Sequence, residues 1–168
     1  MNRHRYGIAI ASIALAAASP ALAQTTPAPP PDKTYVPAAE IAAMIAKAES
    51  DPHAATTVIT QPLIQLAPYR PILHRRMTPA AADIHEKQAE FFFIIRGGGT
   101  LTTGGKMVRP AASPGAPTPP ASIEGGTDRK VAKGDFFVVP ENTPHQFTAI
   151  DGELVVISMH VPRAPAAP

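Results

Sequence analysis

The fold is decided by residues 83–97, DIHEKQAEFFFIIRG, and by a second stretch later in the chain, residues 134–145, GDFFVVPENTPH. Each stretch joins a run of aromatic and β-branched residues, which favour a strand, to side chains that can bind a metal. Successive side chains of a strand point to opposite faces of its sheet, so we expect Asp83 and His85 to share one face. Glu90 opens an otherwise apolar strand, and a carboxylate buried there needs a partner because an unpaired buried charge is costly. The two stretches together therefore indicate one site that neither forms alone.

The spacing of the polar residues in these stretches resembles the two sequence motifs of the cupin superfamily. The first motif ends in H-x4-E-x6-G, and the second contains G-x5-P-x-G-x2-H. The matching residues are His85, Glu90 and Gly97 in the first motif and Gly134, Pro140 and His145 in the second. The resemblance covers about residues 60 to 160 and implies an all-β fold, a cupin-like jelly-roll β-barrel, here with one N-terminal helix. The apolar run of the first motif is expected to end at the glycines of residues 97–99.

Four positions depart from the motifs of the family. Asp83 stands where the first motif has its first histidine, and no glycine opens that motif, since residues 76–78 are Arg, Met and Thr. In the second motif Ala149 replaces the final asparagine, and Asn142 replaces the glycine. Asparagine tolerates left-handed backbone angles better than most residues, so the change at Asn142 is mild. The change at Asp83 bears directly on the metal site.

The resemblance implies that His85, Glu90 and His145 hold a divalent metal ion. Two imidazoles and a carboxylate on one side of an ion leave other positions open for water, dioxygen or a chelating substrate, as in non-haem iron sites. Asp83 is either a fourth ligand, or an acceptor that fixes the tautomer of a histidine. Because the sequence has no cysteine, thiolate sites are excluded, and iron, manganese and zinc are the candidate ions.

Two phenylalanines are predicted to line the substrate pocket around the ion. Phe92 follows Glu90 by two positions, and Phe147 follows His145 by two. Strand alternation then places both rings on the same inner wall as the metal ligands.

Other candidates are weaker because each has a common structural explanation. His74 lies in a basic cluster with Arg75 and Arg76, which favours a surface role; pointing inward, it would line the pocket and act as a proton shuttle. His160, near the end of the last predicted strand, has the same two interpretations. Arg70 is a candidate for binding a carboxylate, with the least support of the set.

Residues 1–23 have the pattern of a secretory signal peptide. Arg3 and Arg5 precede an apolar stretch at residues 6–18, and Ala-Leu-Ala at residues 21–23 forms the cleavage site. The apolar stretch is shorter than the roughly 20 residues that a membrane span needs. We therefore expect an exported protein, periplasmic or secreted, that starts at Gln24 and keeps no stable membrane anchor after cleavage.

The charge balance limits the kinds of partner that this chain is expected to have. The sequence has 15 basic and 13 acidic residues, and cleavage removes Arg3 and Arg5, so the mature chain is formally neutral. No basic patch with interleaved aromatic residues is present, so we expect no nucleic-acid partner. The expected partner is a small-molecule ligand, and a homodimer is expected by analogy with the family.

Composition and periodicity predict the remaining boundaries. The proline-rich residues 24–36 read as an extended linker, and residues 37–55 as a helix and its connection. The apolar stripe of that helix is expected to pack outside the barrel or on a partner subunit. The barrel is predicted at residues 56–162, with a flexible insert at residues 108–122 and a C-terminal tail at residues 163–168.

Three functions are compatible with these predictions. The first is a metal-dependent enzyme of oxygenase, isomerase or lyase type that acts on a small oxygen-bearing molecule. The second is a metal-dependent sensor or carrier without catalysis, since fold does not fix function. The third is a structural barrel that has lost its metal, which the replacement at Asp83 supports.

Overall fold

The structure is a computed structural model that describes residues 32–111, 115 and 117–163. In chain order its elements are α1 (Ala38–Glu49), β1 (Ile59–Pro62), β2 (Ile72–Arg76), β3 (Gln88–Thr103), β4 (Lys106–Val108), β5 (Ser122–Glu124), β6 (Thr127–Ala132), β7 (Phe136–Val139) and β8 (His145–Pro162). The predicted signal peptide lies outside the described residues, as do residues 24–31 of the predicted linker, part of the predicted insert and residues 164–168 of the tail. Among the described residues, none of the helical segments has the length and apolar character needed to cross a membrane.

A pair of long antiparallel strands, β3 and β8, forms the centre of the main sheet. Their register runs from Gln88 opposite Pro162 to Thr103 opposite His145. The strand order is β1-β2-β8-β3-β6, and β7 pairs with β3 beside β6, while β4 and β5 form a separate two-stranded sheet. All of these pairings are antiparallel. The predicted all-β fold with one N-terminal helix is therefore confirmed.

The expected end of the first motif strand at residues 97–99 was wrong, because β3 continues through these glycines to Thr103. The pairing of β3 with β8 shifts register at three places in this region. A side chain on Gly97 would stand 1.8 Å from the backbone oxygen of Glu153, so only glycine lets the two strands approach this closely. The glycines therefore bend the strand through bulges instead of ending it.

The sheet has an apolar face on each side. The inner face buries Phe92, Ile94, Leu101, Val131, Val139, Phe147, Leu154 and Val156. On the outer face, Leu73 and Val155 pack with Ile45 of α1. Side chains alternate between the two faces along this part of β8, because Val155 faces the helix while its two neighbours face inward. Each fully buried aliphatic side chain contributes about 1.5–3 kcal/mol to the free energy of folding.

The helix begins directly after a proline and covers the outer face of the sheet. Pro37 has an extended backbone at the N-terminal cap of α1, and Glu40 lies in the first helical turn. The helix is further tied to β1, since the side-chain amide of Gln61 donates to the backbone oxygen of Met44 over 2.7 Å. Its partners therefore belong to the outer sheet face, which leaves the inner face free for a site.

The predicted insert joins two paired strands. Val108 of β4 lies opposite Ser122 of β5, so both ends of residues 108–122 are strand residues. Residues 112–114 and 116 of this segment lie outside the described part of the chain.

Replacing Gly97 by Ala tests whether the close approach of β3 and β8 holds the bend. We expect the free energy of unfolding to fall by about 3 kcal/mol or more, because the new methyl group meets backbone atoms. The matched control is Gly152→Ala. Gly152 also has a positive φ of 79° but has no atoms within 4 Å of an added Cβ, so its loss should be only about 1–2 kcal/mol. Chemical denaturation measures both, and equal losses would contradict the close-approach explanation.

Candidate metal centre

The loop before β3 and the start of β8 lie side by side and bring the two sequence stretches together. Asp83 and His145 form an antiparallel bridge, with backbone hydrogen bonds of 3.0 and 2.9 Å. The backbone nitrogen of Asn142 donates to the backbone oxygen of His85 over 2.9 Å. Asn142 has a φ of 55°, so it adopts the left-handed conformation for which the motif glycine is used. These backbone contacts fix the positions from which the side chains of His85 and His145 extend.

Three side chains converge on the inner face. The Nε2 atoms of His85 and His145 lie 3.3 and 3.0 Å from the same carboxylate oxygen, Oε2 of Glu90. One ligand atom from each residue lies within 4.8 Å of the other two. Two ligands bonded to one divalent ion at about 2.1 Å, and at right angles to each other, are about 3.0 Å apart. The donor separations therefore suit one shared ion.

The tautomer of His145 strengthens this conclusion. Its Nδ1 lies 3.2 Å from the backbone oxygen of Thr143. A carbonyl oxygen only accepts, so Nδ1 carries the hydrogen, and in the neutral ring Nε2 presents a lone pair. That lone pair faces Oε2 of Glu90, which is also an acceptor. Two acceptors 3.0 Å apart need a proton or a cation between them, and a divalent metal ion satisfies both without charging the ring.

The carboxylate of Glu90 is buried and holds histidines with both of its oxygens. Its second oxygen, Oε1, lies 3.2 Å from Nε2 of His160. Burial alone would raise the pKa of Glu90, but the neighbouring histidine rings and the hydroxyl of Ser158 outweigh burial and hold the pKa below its ordinary value. In turn, the hydrogen bond to Glu90 raises the pKa of His160. Glu90 is therefore an anionic donor at neutral pH.

Asp83 lies at the edge of this cluster. Its side chain is 62% exposed, and Oδ2 is 3.9 Å from Nε2 of His85, which is beyond hydrogen-bond distance. The other oxygen, Oδ1, accepts from the backbone nitrogen of Ile84 over 2.8 Å. The alternation rule does not extend from Asp83 to His85, because Asp83 belongs to a single bridge and the chain then leaves extended pairing until β3. The structure therefore brings three of the four predicted ligands together and leaves Asp83 at the opening.

His160, for which the sequence left a surface and an inward position open, is a residue of the site. Its ring centroid lies 4.2 Å from that of His85. Counting in twos from His145 places His160 on the outer face, but the register of β8 shifts between Ile150, opposite Gly99, and Leu154, opposite Gly97. After this shift the even-numbered residues face inward. The positive-φ Gly152 between these positions is the one sequence signal of such a change.

The predicted pocket residues all lie on the inner face. The rings of Phe92 and Phe147 meet edge to face with centroids 5.8 Å apart, and Phe92 lies 6.0 Å from the His145 ring. His74 points inward, with Nδ1 3.3 Å from the Thr60 hydroxyl and Nε2 3.1 Å from the Ser158 hydroxyl. Burial, together with the positive charge of Arg76, lowers the pKa of His74 to about 4. The surface interpretation of His74 is therefore not the one that the structure shows.

A cavity of about 340 Å³ opens next to the three converging side chains. Its lining includes Asp83, His85, Glu90 and His145, together with Phe92, Phe147, His74, Arg76, Ser158 and His160. The volume lies at the lower end of the range found for small-molecule sites. The candidate metal centre and the cavity are thus one continuous site.

Among known proteins, similarity to this chain is found only in a comparison with solved structures. No family model and no curated protein sequence matches this chain. The iron(II) form of HppE aligns with a TM-score of 0.49 and 19% identity over 67% of this chain and 54% of that chain. A proposed mannose-6-phosphate isomerase from Ralstonia eutropha JMP134 aligns with a TM-score of 0.46 and 18% identity, over 68% of this chain and 93% of that one. KdgF from Halomonas sp. aligns with a TM-score of 0.44 and 16% identity, over 68% and 85%.

The all-β fold with one N-terminal helix, which the cupin resemblance implies, is the fold of the described residues. The antiparallel strands and the single helix form the fold that the two motifs imply, and the motif residues meet on its inner face. The chain aligns with only about half of the length of HppE, 54%.

The low pKa of His74 predicts a pH-dependent loss of stability. In the unfolded chain a histidine binds its proton near pH 6.5, and in the folded protein His74 binds it near pH 4. The unfolded state therefore binds more protons between these values, and stability falls as the pH decreases through this window. We expect His74→Gln, which keeps an amide able to bond Thr60 and Ser158, to lose about 2 kcal/mol less than the wild type between pH 7 and pH 5.

Urea unfolding of chelator-treated protein at the two pH values measures this difference. The raised pKa of His160 contributes stability that is complete below pH 6.5 and is lost above it, and that contribution is common to both proteins. The lowered pKa of Glu90 changes the stability only below pH 4.5, outside the range between the two pH values. Identical pH profiles for the variant and the wild type would contradict a buried, neutral His74.

Proposed function

We propose that this protein binds a divalent metal ion through His85, Glu90 and His145 and acts on a small oxygen-bearing molecule in the adjoining cavity. The observation that carries the proposal is the approach of two imidazole nitrogens to one buried carboxylate oxygen, at 3.3 and 3.0 Å. In its neutral form the His145 ring directs a lone pair at this oxygen, because its other nitrogen donates a hydrogen bond to the carbonyl oxygen of Thr143. A cation in this position removes the conflict between the acceptors.

The donor set restricts the identity of the ion. Two imidazole nitrogens and one carboxylate oxygen suit iron, manganese and zinc, and the absence of cysteine removes the thiolate sites that favour zinc alone. When bound, such an ion supplies Lewis-acid chemistry or the activation of dioxygen. Three protein donors are fewer than the four to six that these ions take, so positions remain for water or substrate.

The other residues of the cavity have distinct parts in this proposal. Phe92 and Phe147 exclude water from one side of the cluster and offer apolar contact to a carbon skeleton. Ser158 lies between His74, 3.1 Å away, and the carboxylate of Glu90, whose pKa it helps to lower. His160 holds the second oxygen of Glu90 and so fixes the orientation of the carboxylate toward the two histidines.

Replacing His145 by Ala is expected to lower the affinity for Mn²⁺ or Fe²⁺ by about 100-fold or more, since one of three donors is lost. Isothermal titration calorimetry and metal analysis of the purified variant measure this loss, and circular dichroism confirms that the variant folds. The matched control is Asp83→Asn, because Asp83 is exposed at the edge of the cluster; its affinity should stay within about threefold of the wild type. Full metal occupancy in the His145 variant would exclude the proposed site.

We also propose that the protein is exported, on the basis of the signal-peptide pattern in residues 1–23. N-terminal sequencing of protein recovered from the periplasm or the culture medium is expected to start at Gln24. A variant with Leu in place of both Ala21 and Ala23 removes the small residues that cleavage needs, so the longer precursor should accumulate at the membrane. Recovery of the chain in the cytoplasm with its first residues intact would exclude export.

A further inference from the structure

Among the described residues, Arg76 is the one strongly basic side chain in the lining of the cavity. It is the last residue of β2, and alternation along this strand turns Ile72, His74 and Arg76 inward. Its guanidinium lies over the ring of Phe147, with the central carbon 5.6 Å from the ring centroid. The Nε atom is buried and has no hydrogen-bond partner among the described residues. A buried donor without a partner costs about 1–3 kcal/mol, so an acceptor supplied by a ligand would lower the free energy of this arrangement.

Other arginines of the chain do have carboxylate partners. Arg75, the next residue along the strand, faces outward and donates to Glu153 over 2.5 Å. Arg96 pairs with Glu49 and with the same Glu153. The described residues include no such ion pair for Arg76. Stacking on an aromatic ring offsets part of the cost of burying a cation, but it leaves the Nε–H donor unused.

Glu90 does not serve as the partner of Arg76. Its two oxygens already face three histidines, at distances of 3.3, 3.0 and 3.2 Å. The charge of Glu90 acts on Arg76 only at a distance, and burial lowers the pKa of Arg76 from its usual value. A guanidinium stays protonated under these conditions, so the cavity contains a cation that has no ion-pair partner among the described residues.

We propose that Arg76 binds the carboxylate of a small organic acid whose second oxygen group faces the metal cluster, so that the cavity selects an anionic substrate. The metal end of this pose rests on the proposed function, whereas the contact with Arg76 does not. A guanidinium forms two parallel hydrogen bonds to a carboxylate, which fixes the orientation of the acid as well as its charge. The aromatic wall at Phe92 then faces the carbon skeleton.

The net charge of the site favours the same class of ligand. Two neutral imidazoles and one carboxylate neutralise only half of the charge of a divalent ion, and Arg76 adds a further positive charge. Asp83 acts in the opposite sense, but its side chain is 62% exposed, and solvent and salt screen charges in such positions. Cavities with one sign of charge and apolar walls concentrate ligands of the opposite sign.

The test compares lactate with lactamide, which differ in a carboxylate and a neutral amide of nearly the same shape. Binding to the Mn²⁺-loaded wild-type protein is followed by the broadening of the ligand methyl signal in proton NMR. We expect lactate to bind at least about tenfold more tightly than lactamide, the difference made by charge-assisted hydrogen bonds. Equal affinities would overturn the proposal without any variant being needed.

The variant Arg76→Gln is expected to weaken lactate binding at least about tenfold and to leave lactamide binding nearly unchanged. Arg76→Lys keeps the charge without the planar fork and should give an intermediate affinity for lactate. The matched control is Arg70→Gln, which makes the same change at an exposed arginine outside the cavity lining and should bind lactate like the wild type. Circular dichroism and thermal unfolding show whether each variant folds, and an unaltered preference for lactate in folded Arg76→Gln would overturn the role of this residue.

The metal and the anion sites are separated by measuring Mn²⁺ affinity in the same variants. Arg76→Gln should keep Mn²⁺ affinity within about threefold, because Arg76 supplies no metal donor. If the wild-type protein does not bind Mn²⁺, the metal proposal fails, and lactate is then titrated against lactamide with chelator-treated protein by calorimetry. A preference for lactate under those conditions supports the anion site alone, and its absence overturns it.

Discussion

The buried carboxylate of Glu90 is the constraint on which the inner face of this protein depends. Moving an ionised carboxylate out of water costs several kcal/mol unless neighbouring groups compensate. Here the compensation comes from both directions, since one oxygen faces His85 and His145 and the other faces His160. The three histidines come from different parts of the chain. The requirement to satisfy one acid therefore couples the loop before β3, the start of β8 and the end of β8.

The bends in the central strand pair make this convergence possible. A straight pair of strands as long as β3 and β8 would keep His145 and His160 on opposite faces, because they are an odd number of positions apart. The register shifts around Gly97 and Gly99 reverse the alternation in the middle of the pair. The missing side chain at Gly97 also permits the contact with the backbone of Glu153. Gly97 and Gly99 therefore contribute to the assembly of the site through the bend that they allow in the strand pair.

The sequence predicted correctly those residues of the site that follow the regular two-residue alternation of a strand. Alternation over two residues placed Phe92 beside Glu90 and Phe147 beside His145 on the inner face, as the structure shows. Alternation failed where the strand is interrupted. The chain between Asp83 and His85 leaves extended pairing, so Asp83 stays at the exposed edge of the cluster, 3.9 Å from His85.

His160 and Arg76 show a second limit of sequence reasoning. The inward position of His160 depends on a bulge, and a bulge inserts residues without a strong pattern of its own. Arg76 was grouped with its basic neighbours, and a run of charged residues usually marks a solvated surface. Alternation places Arg75 and Arg76 on opposite faces of the strand, but only the pairing of β2 with β8 decides that Arg76 is the inward one. Pairing between distant strands is not contained in the local sequence.

The inner face has a polar and an apolar side, and both border the cavity next to the candidate metal centre. β2 and the end of β8 contribute His74, Ser158 and Arg76, whereas Phe92 stacks on Phe137 of the neighbouring strand with ring centroids 5.0 Å apart. A molecule bound between these sides must turn its oxygen groups to one and its carbon skeleton to the other, since each unpaired polar group left against the rings would cost free energy. In the proposed complex, the sheet therefore orients the acid before any contact with a metal ion forms.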